Sequence, residues 1–357
     1  MKLIHCSDIH LDSRMETTLS AKQAQERNNE ICTTFTRMIS YAVENDVSVV
    51  MIAGDMFDTA RISAKTSSFI LDSIAQAPNV DFLYLQGNHD ESARAFAGNV
   101  IPDNLKLFSD HWTEYTYDFL TISGIELNHH NCMTVYQDLS LSDQQTNIVM
   151  MHGQDTTTVG DDQICIPALR GKNIDYLALG HLHSYQKKKL DVSSEYCYCG
   201  CLEGRGFDEC GEKGFVLVNA EPHHITTEFI PFAKRTLHNV CVDITNATTI
   251  TDIRQAMAEA AKEIPNQDLV EFRLVGTYTL DTQKDITFLK QLFEHRYYAI
   301  KIKDESHLFI EKESYENDIS LKGEFIRKVM ASELTAEEKD EIICAGIQAL
   351  SGEAIML

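Results

Sequence analysis

Val47-Ser48-Val49-Val50-Met51-Ile52-Ala53-Gly54-Asp55-Met56-Phe57-Asp58 is the stretch on which the fold turns. Its first seven residues are nearly unbroken in β-branched and apolar side chains, as a strand covered on both faces requires, and the run stops at a glycine and an aspartate. A buried strand that delivers a carboxylate at its carboxyl end is the unit from which layered α/β active sites are assembled.

The same unit recurs on either side. Lys2 to Cys6 reads as a short strand released into Ser7-Asp8-Ile9-His10, and Val80 to Leu85 as one released into Gln86-Gly87-Asn88-His89-Asp90. Ala21 to Asn45 carries Ile31, Phe35, Met38, Ile39 and Ala42 at helical spacing, and Ala64 to Ala77 reads as a second helix. The alternation of strand, polar cluster and helix predicts a layered α/β domain with its functional groups at strand ends.

Shorter strands are expected at Phe119 to Ser123, Asn147 to Met151 and Tyr176 to Leu179, and the last two end at His152-Gly153 and Gly180-His181-Leu182-His183. Lys213 to Val218 and His223 to Ile230 read as an antiparallel pair closing the sheet. The first domain is expected over residues 1–233. Val240 to Ile244, Leu269 to Leu280 and Tyr297 to Ile302 as strands, with helices at Thr251 to Ile264 and Gln283 to His295, predict a small α+β domain over 234–310. Residues 311–357 are expected as a helical tail, with helices at Leu321 to Met330 and Thr335 to Leu350.

Of the 357 residues, 43% are hydrophobic, enough to bury one large core and a second small one. The balance of 31 Lys plus Arg against 54 Asp plus Glu gives a net charge of -23, which argues against a broad basic surface and so against tight autonomous nucleic-acid binding. A nuclease is still compatible with it, because metal ions and a partner can supply positive charge at a phosphate. Cysteines such as Cys6, Cys32, Cys165 and Cys344 stand singly in apolar or helical contexts and read as free thiols; Cys197, Cys199, Cys201 and Cys210 lack the spacing of a zinc knuckle. The opening residues lack signal-peptide architecture and no apolar run is long enough to span a bilayer, so the expectation is no membrane and a cytoplasmic location.

Taken singly, Asp8 or Asp55 would read as a helix cap and His152 or Asn88 as a loop residue. Together the clusters supply carboxylate, imidazole and amide donors at successive strand ends, which is the ligand complement of a two-metal phosphoester-hydrolysing site. Asp8, His10, Asp55 and His183 are assigned to one ion, and Asp55, Asn88, His152 and His181 to the other, with Asp55 as the bridge. On an extended segment, side chains two residues apart point the same way, so His181 and His183 are both expected to face the metals. The donor set suits Mn²⁺, taken as the first choice, or Fe²⁺ or Zn²⁺. His89, beside the coordinating Asn88, is the expected acid-base residue, with Asp90 or Asp58 orienting it.

Cys6-Ser7-Asp8-Ile9-His10, Gly54-Asp55-Met56-Phe57-Asp58, Gly87-Asn88-His89-Asp90 and Gly180-His181-Leu182-His183, in that order, resemble the calcineurin-like metallophosphoesterases. Tyr198-Cys199-Gly200, Phe207-Asp208-Glu209 and Gly211-Glu212-Lys213-Gly214 narrow the resemblance to the SbcD-like DNA repair exonuclease branch. That resemblance implies a four-layer α-β-β-α metallophosphoesterase sandwich with the small α+β domain as a cap. It also implies metal-dependent hydrolysis of DNA phosphodiesters, an SbcC-like or Rad50-like coiled-coil ATPase as partner, and a homodimer. Arg205, in the narrowing segment, is expected to approach the substrate phosphate as a third catalytic residue beside His89 and Asp90. Asp12 departs from the branch, where glycine is common, and is expected to act on water or anions beside the metal loop. The alternative functions are a phosphodiesterase or phosphatase acting on small nucleotides or another phosphoester, and a nuclease-fold regulatory subunit of an ATPase.

Overall fold

The computed structural model describes residues 1–13, 15, 19–58, 62–88, 90, 96 and 99–351. Two units make up the chain, Met1–Leu237 and His238–Leu357.

The first strands of the first unit are Lys2–Cys6 (β1), Val49–Ala53 (β2), Asp81–Leu85 (β3), Leu105–Leu107 (β4), Thr113–Tyr117 (β5), Leu120–Gly124 (β6) and Thr146–His152 (β7). There follow Gln154–Thr156 (β8), Gln163–Cys165 (β9), Tyr176–Gly180 (β10), Gln186–Lys189 (β11), Glu195–Tyr198 (β12), Gly214–Glu221 (β13) and His224–Pro231 (β14). They form two six-stranded sheets, ordered β14-β13-β1-β2-β3-β4 and β11-β12-β10-β7-β6-β5, beside a β8-β9 pair. In each sheet four strands are parallel neighbours, and antiparallel strands occupy the margins.

Side-chain alternation explains the layering. In β2, Val49, Met51 and Ala53 share a cluster with Ile148 and Met150 of β7 and Ala178 of β10, while Val50 and Ile52 pack with the helices Ala21–Glu44 (α1) and Ala64–Ala75 (α2). In β7 and β10, Val149, Met151, Leu177 and Leu179 turn to the opposite face. There they meet the short helices Val135–Asp138 (α3) and Ile166–Leu169 (α4). Because strand side chains alternate between faces, these continuous apolar runs serve two cores at once, giving the order helix, sheet, sheet, helix. Ser20 and Ser63 accept hydrogen bonds from Gln23 N and Thr66 N and so fix where α1 and α2 begin.

The second unit has the sheet Leu237–Asp243 (β15), Leu269–Val275 (β16) and Ala299–Asp304 (β18), with a small pair Thr277–Tyr278 (β17) and His307–Leu308 (β19). The strand expected over Leu269 to Leu280 is broken at Gly276, where φ is +88° and a Cβ would lie 2.3 Å from Asp243 Oδ1. Helices Ile250–Ala260 (α5) and Ile286–Phe293 (α6) cover the sheet, and Leu321–Met330 (α7) and Ala336–Ser351 (α8) add Ile326, Ile343 and Ile347 to the same core. All ten cysteines are free thiols. No helix among the described residues is long and apolar enough to cross a membrane.

Candidate metal centre

Five parallel strands bring the polar clusters together. β1, β2 and β3 are neighbours in one sheet and β7 and β10 in the other, so the loops leaving their carboxyl ends lie side by side. The β1 and β2 loops are laced to each other by Asp8 N donating to Gly54 O (3.0 Å) and His10 N to Asp55 O (3.0 Å). Asp8, His10 and Asp55 have φ of 51°, 50° and 50°. Left-handed backbone in three non-glycine residues is a strain that the surrounding ladders hold in place, and it aims their side chains off the strand ends.

Glycines open the space. A Cβ on Gly87 would lie 2.0 Å from Asp55 Oδ1, and one on Gly180 would lie 1.8 Å from Ala53 O.

Two donor groups result, Asp8-His10-His183 and Asp8-Asp55-His152, the ligand atoms within each lying within 4.8 Å of one another. Asp55 Oδ2 stands 3.4 Å from His152 Nε2 and 3.9 Å from His10 Nε2, between the two groups. Asn88 joins the second, its Oδ1 3.0 Å from His152 Nε2.

His181 comes by a different route. It has φ of 114°, so the segment is not extended and the two-residue repeat does not apply. Its backbone N–H donates to both oxygens of Asp8 (3.2 and 3.1 Å), while its ring meets that of His152 edge-on at 5.4 Å and lies 3.8 Å from Asp162 Oδ1.

The donors fit a cation. His183 Nδ1 makes a 2.7 Å hydrogen bond to Glu209 Oε1, which fixes a proton on that nitrogen, and His10 Nδ1 lies 3.2 Å from Asp58 Oδ1. The two Nε2 atoms face each other at 3.2 Å, with Asp8 Oδ1 3.8 Å from His183 Nε2. Two imidazole nitrogens and a buried carboxylate converging at this range make a set of donors that favours positive charge among them. Burial would lower the pKa of His152, but Asp55 and Asp8 overcome it and push it up to about 9. Burial likewise works against protonation of His183, whereas Glu209 and Asp8 raise its pKa.

Three further residues with expected roles make defined contacts among the described residues. Asp90, expected to orient His89, accepts hydrogen bonds from the backbone N–H groups of Met56 (3.2 Å), Phe57 (2.9 Å) and Gly87 (3.1 Å), tying the second loop to the third. Burial, then Asp55, raises its pKa. His89 itself lies outside the described residues. Arg205, expected to meet a substrate phosphate, has a guanidinium engaged by Glu209 Oε1 (2.7 Å) and Asp58 Oδ1 (3.0 Å). Asp12, expected to act on water or anions, accepts hydrogen bonds from Thr66 Oγ1 (2.8 Å) and Ser63 N (3.3 Å) at the start of α2.

Glu209 is the residue that sequence reasoning missed. It lies in the quoted Phe207-Asp208-Glu209 element, which was its only signal, yet it is 3% exposed and directly orients His183. Burial would raise its pKa, but His183 and Arg205 hold it well below the ordinary carboxylate range; the same contest, with His10 and Arg205, lowers Asp58.

Residues 1–185 match the Calcineurin-like phosphoesterase family. An uncharacterized metallophosphoesterase, YhaO, of Bacillus subtilis is 25% identical over 287 residues, covering 74% of this chain and 68% of that protein. The DNA double-strand break repair protein Mre11 of Saccharolobus solfataricus is 24% identical over a 386-residue alignment, covering 100% of this chain and 97% of that protein. Among solved structures, TT1561 of Thermus thermophilus superposes with a TM-score of 0.44 at 11% identity, over 64% of this chain and 98% of that one. With its family signature spanning both sheets and its donors gathered at their strand ends, the chain belongs to the calcineurin-like phosphoesterases, a family of dinuclear metal-dependent enzymes.

Proposed function

We propose that this protein is a dinuclear-metal-dependent DNA phosphodiester hydrolase of the SbcD-like type, working as an exonuclease in DNA repair. The observation that carries this reading is the extent of the similarity to the Saccharolobus solfataricus Mre11 protein, which runs through the second unit as well as the phosphoesterase region.

Asp8, His10, Asp55 and His183 would hold one ion, and Asp55, Asn88 and His152, with His181 beside them, would hold the other. Mn²⁺ is the first choice, with Fe²⁺ or Zn²⁺ compatible with the same donors. When bound, such a pair supplies Lewis acidity at the phosphoryl group and generates a nucleophile from water at neutral pH. Asp90 keeps the Asn88 loop against the Asp55 loop through the backbone N–H groups of Met56 and Phe57, and accepts from Gly87 N within its own loop, so that the two donors keep their spacing. His89, next in sequence to Asn88, moves a proton to the leaving oxygen. A coiled-coil ATPase of the SbcC or Rad50 kind is the proposed partner, supplying DNA contacts that a chain of net charge -23 lacks.

That same acidity favours a second reading, hydrolysis of a small nucleotide or another phosphoester, which needs no basic track. The deciding experiment compares hydrolysis of single-stranded DNA, duplex ends, cyclic nucleotides and a generic phosphodiester in Mn²⁺, Fe²⁺ and Zn²⁺, with His89→Asn as control. Preference for DNA ends supports the nuclease; preference for cyclic nucleotides by orders of magnitude refutes it.

A further inference from the structure

Arg205 is the only guanidinium among the described residues that joins carboxylates on both sides of the His10-His183 pair. Its Nη1 donates to Asp58 Oδ1 (3.0 Å) and Ser13 Oγ (3.1 Å), and its Nη2 and Nε donate to Glu209 Oε1 (2.7 and 3.1 Å). The Arg205 backbone N–H also donates to Glu209 Oε2 (2.8 Å), closing a compact turn. Each carboxylate thus held faces one Nδ1: Asp58 that of His10, Glu209 that of His183.

The segment bearing Arg205 is itself anchored. Arg27, 1% exposed, donates to Glu203 Oε2 (3.1 Å) and Gly204 O (2.8 Å), and Lys213 Nζ donates to His183 O (2.6 Å). The guanidinium is therefore placed by the fold rather than left to swing toward solvent; its side chain is 15% exposed.

The other donor group is built differently. His152 turns Nδ1 to a backbone carbonyl, that of Ala53 (2.9 Å), and needs no carboxylate or guanidinium to keep its orientation. Support of the two cation positions is thus asymmetric: one rests on side chains from distant segments and the other on the sheet backbone.

We propose that Arg205 is a positioning residue for one cation position only, that framed by Asp8, His10 and His183, and that it acts through Asp58 and Glu209. This rests on the two-metal reading above. Two effects of removing Arg205 oppose each other. Loss of a nearby positive charge would strengthen cation binding by Coulomb attraction, whereas release of Asp58 and Glu209 would let both imidazoles turn away. The fork geometry decides between them, because lysine keeps the charge but cannot bridge two carboxylates in one plane.

The test is Mn²⁺ binding by the full chain, followed by equilibrium dialysis and electron paramagnetic resonance, for the parent, Arg205→Lys, Arg205→Gln, Glu209→Gln and His183→Ala. The parent is expected to take up two ions. Arg205→Lys, Arg205→Gln and Glu209→Gln are each expected to bind one ion as the parent does and the other about 10- to 100-fold more weakly. The spectrum of the retained ion should match that in His183→Ala. Unchanged affinity at both positions in Arg205→Lys, tighter binding in Arg205→Gln, or equal weakening at both positions would each overturn the proposal. A parent chain that takes up fewer than two ions overturns the two-metal reading itself, and this inference with it. Circular dichroism melting confirms that each variant is folded, and Glu209→Gln, which leaves Arg205 in place, carries the test if an Arg205 variant is not.

Discussion

His152 donates its Nδ1–H to the carbonyl oxygen of Ala53, 2.9 Å away in the neighbouring sheet. A carbonyl can only accept, so the proton is fixed on Nδ1 and the other nitrogen, Nε2, is turned to Asp55 Oδ2 (3.4 Å) and Asn88 Oδ1 (3.0 Å). Both nitrogens are protonated in the imidazolium, which the metal-free protein keeps up to about pH 9 because Asp55 and Asp8 outweigh the cost of burial.

Cation uptake must displace that second proton. Below pH 9 the metal-free protein is protonated and the complex is not, so affinity rises with pH. We expect Mn²⁺ affinity to rise about tenfold per pH unit between roughly pH 6 and 8 for this proton alone. Calorimetric titrations in buffers of different ionisation enthalpy would count the released proton. An affinity independent of pH would remove His152 from the ligand set.

Gly180→Ala tests the close approach behind this contact. The added methyl would lie 1.8 Å from Ala53 O and 2.8 Å from His152 Nδ1, where neither a strand backbone nor a hydrogen-bonded ring has room to yield. Overpacking of this kind costs roughly 1–3 kcal/mol, and more where backbone must shift. Thermal melting should show that loss together with weakened metal uptake; parent-like values in both would contradict the geometry.

Glu203→Ala should destabilise the fold by roughly 3–5 kcal/mol, because it removes one partner of a buried charge. Glu203 is 2% exposed and accepts from Arg27 Nη2 (3.1 Å), Thr34 Oγ1 (2.7 Å) and Lys234 N (2.5 Å). Urea unfolding followed by circular dichroism measures the change, and a loss below about 1 kcal/mol, the range of exposed ion pairs, would mean that the network is dispensable.

Two further variants separate binding from chemistry. Asp55→Ala should empty or disorder the metal pair, since this carboxylate lies between the two donor groups. His89→Asn should keep parent-like metal stoichiometry while turnover falls by about 10²- to 10⁴-fold, the usual range for a lost acid-base group. Metal analysis alongside initial rates checks both, and an active, fully loaded Asp55→Ala enzyme would end the bridging assignment.

Much of the catalytic half can be read without coordinates. The expected strand at Lys2 to Cys6 and the helix from Ala21 lie where β1 and α1 are, and Val49–Ala53 falls inside the run quoted first. Apolar periodicity is local, and so is its abrupt end in Asp8, Asp55 or Asn88, which is why the donors stand out. β11 gives no such signal: Gln186-Lys187-Lys188-Lys189 is a polar edge strand, defined by pairing with β12 rather than by burial. The Leu269 to Leu280 strand is overextended in the sequence reading because only the approach of Asp243 shows why Gly276 interrupts it.

From its residues alone, this protein is determined to be a layered α/β chain with metal-type donors at successive strand ends, because burial and side-chain alternation are written into neighbouring positions. Only the packing of one sheet on the other decided which groups serve which donor. Asp58, Arg205 and Glu209 meet around His10 and His183, which are themselves 173 residues apart in the chain. Contacts of that kind leave no local period, and a carboxylate that orients a ligand has the same composition as one on the surface. The turn at His181 makes the same point: its φ of 114° puts a backbone N–H, rather than a ring, on Asp8.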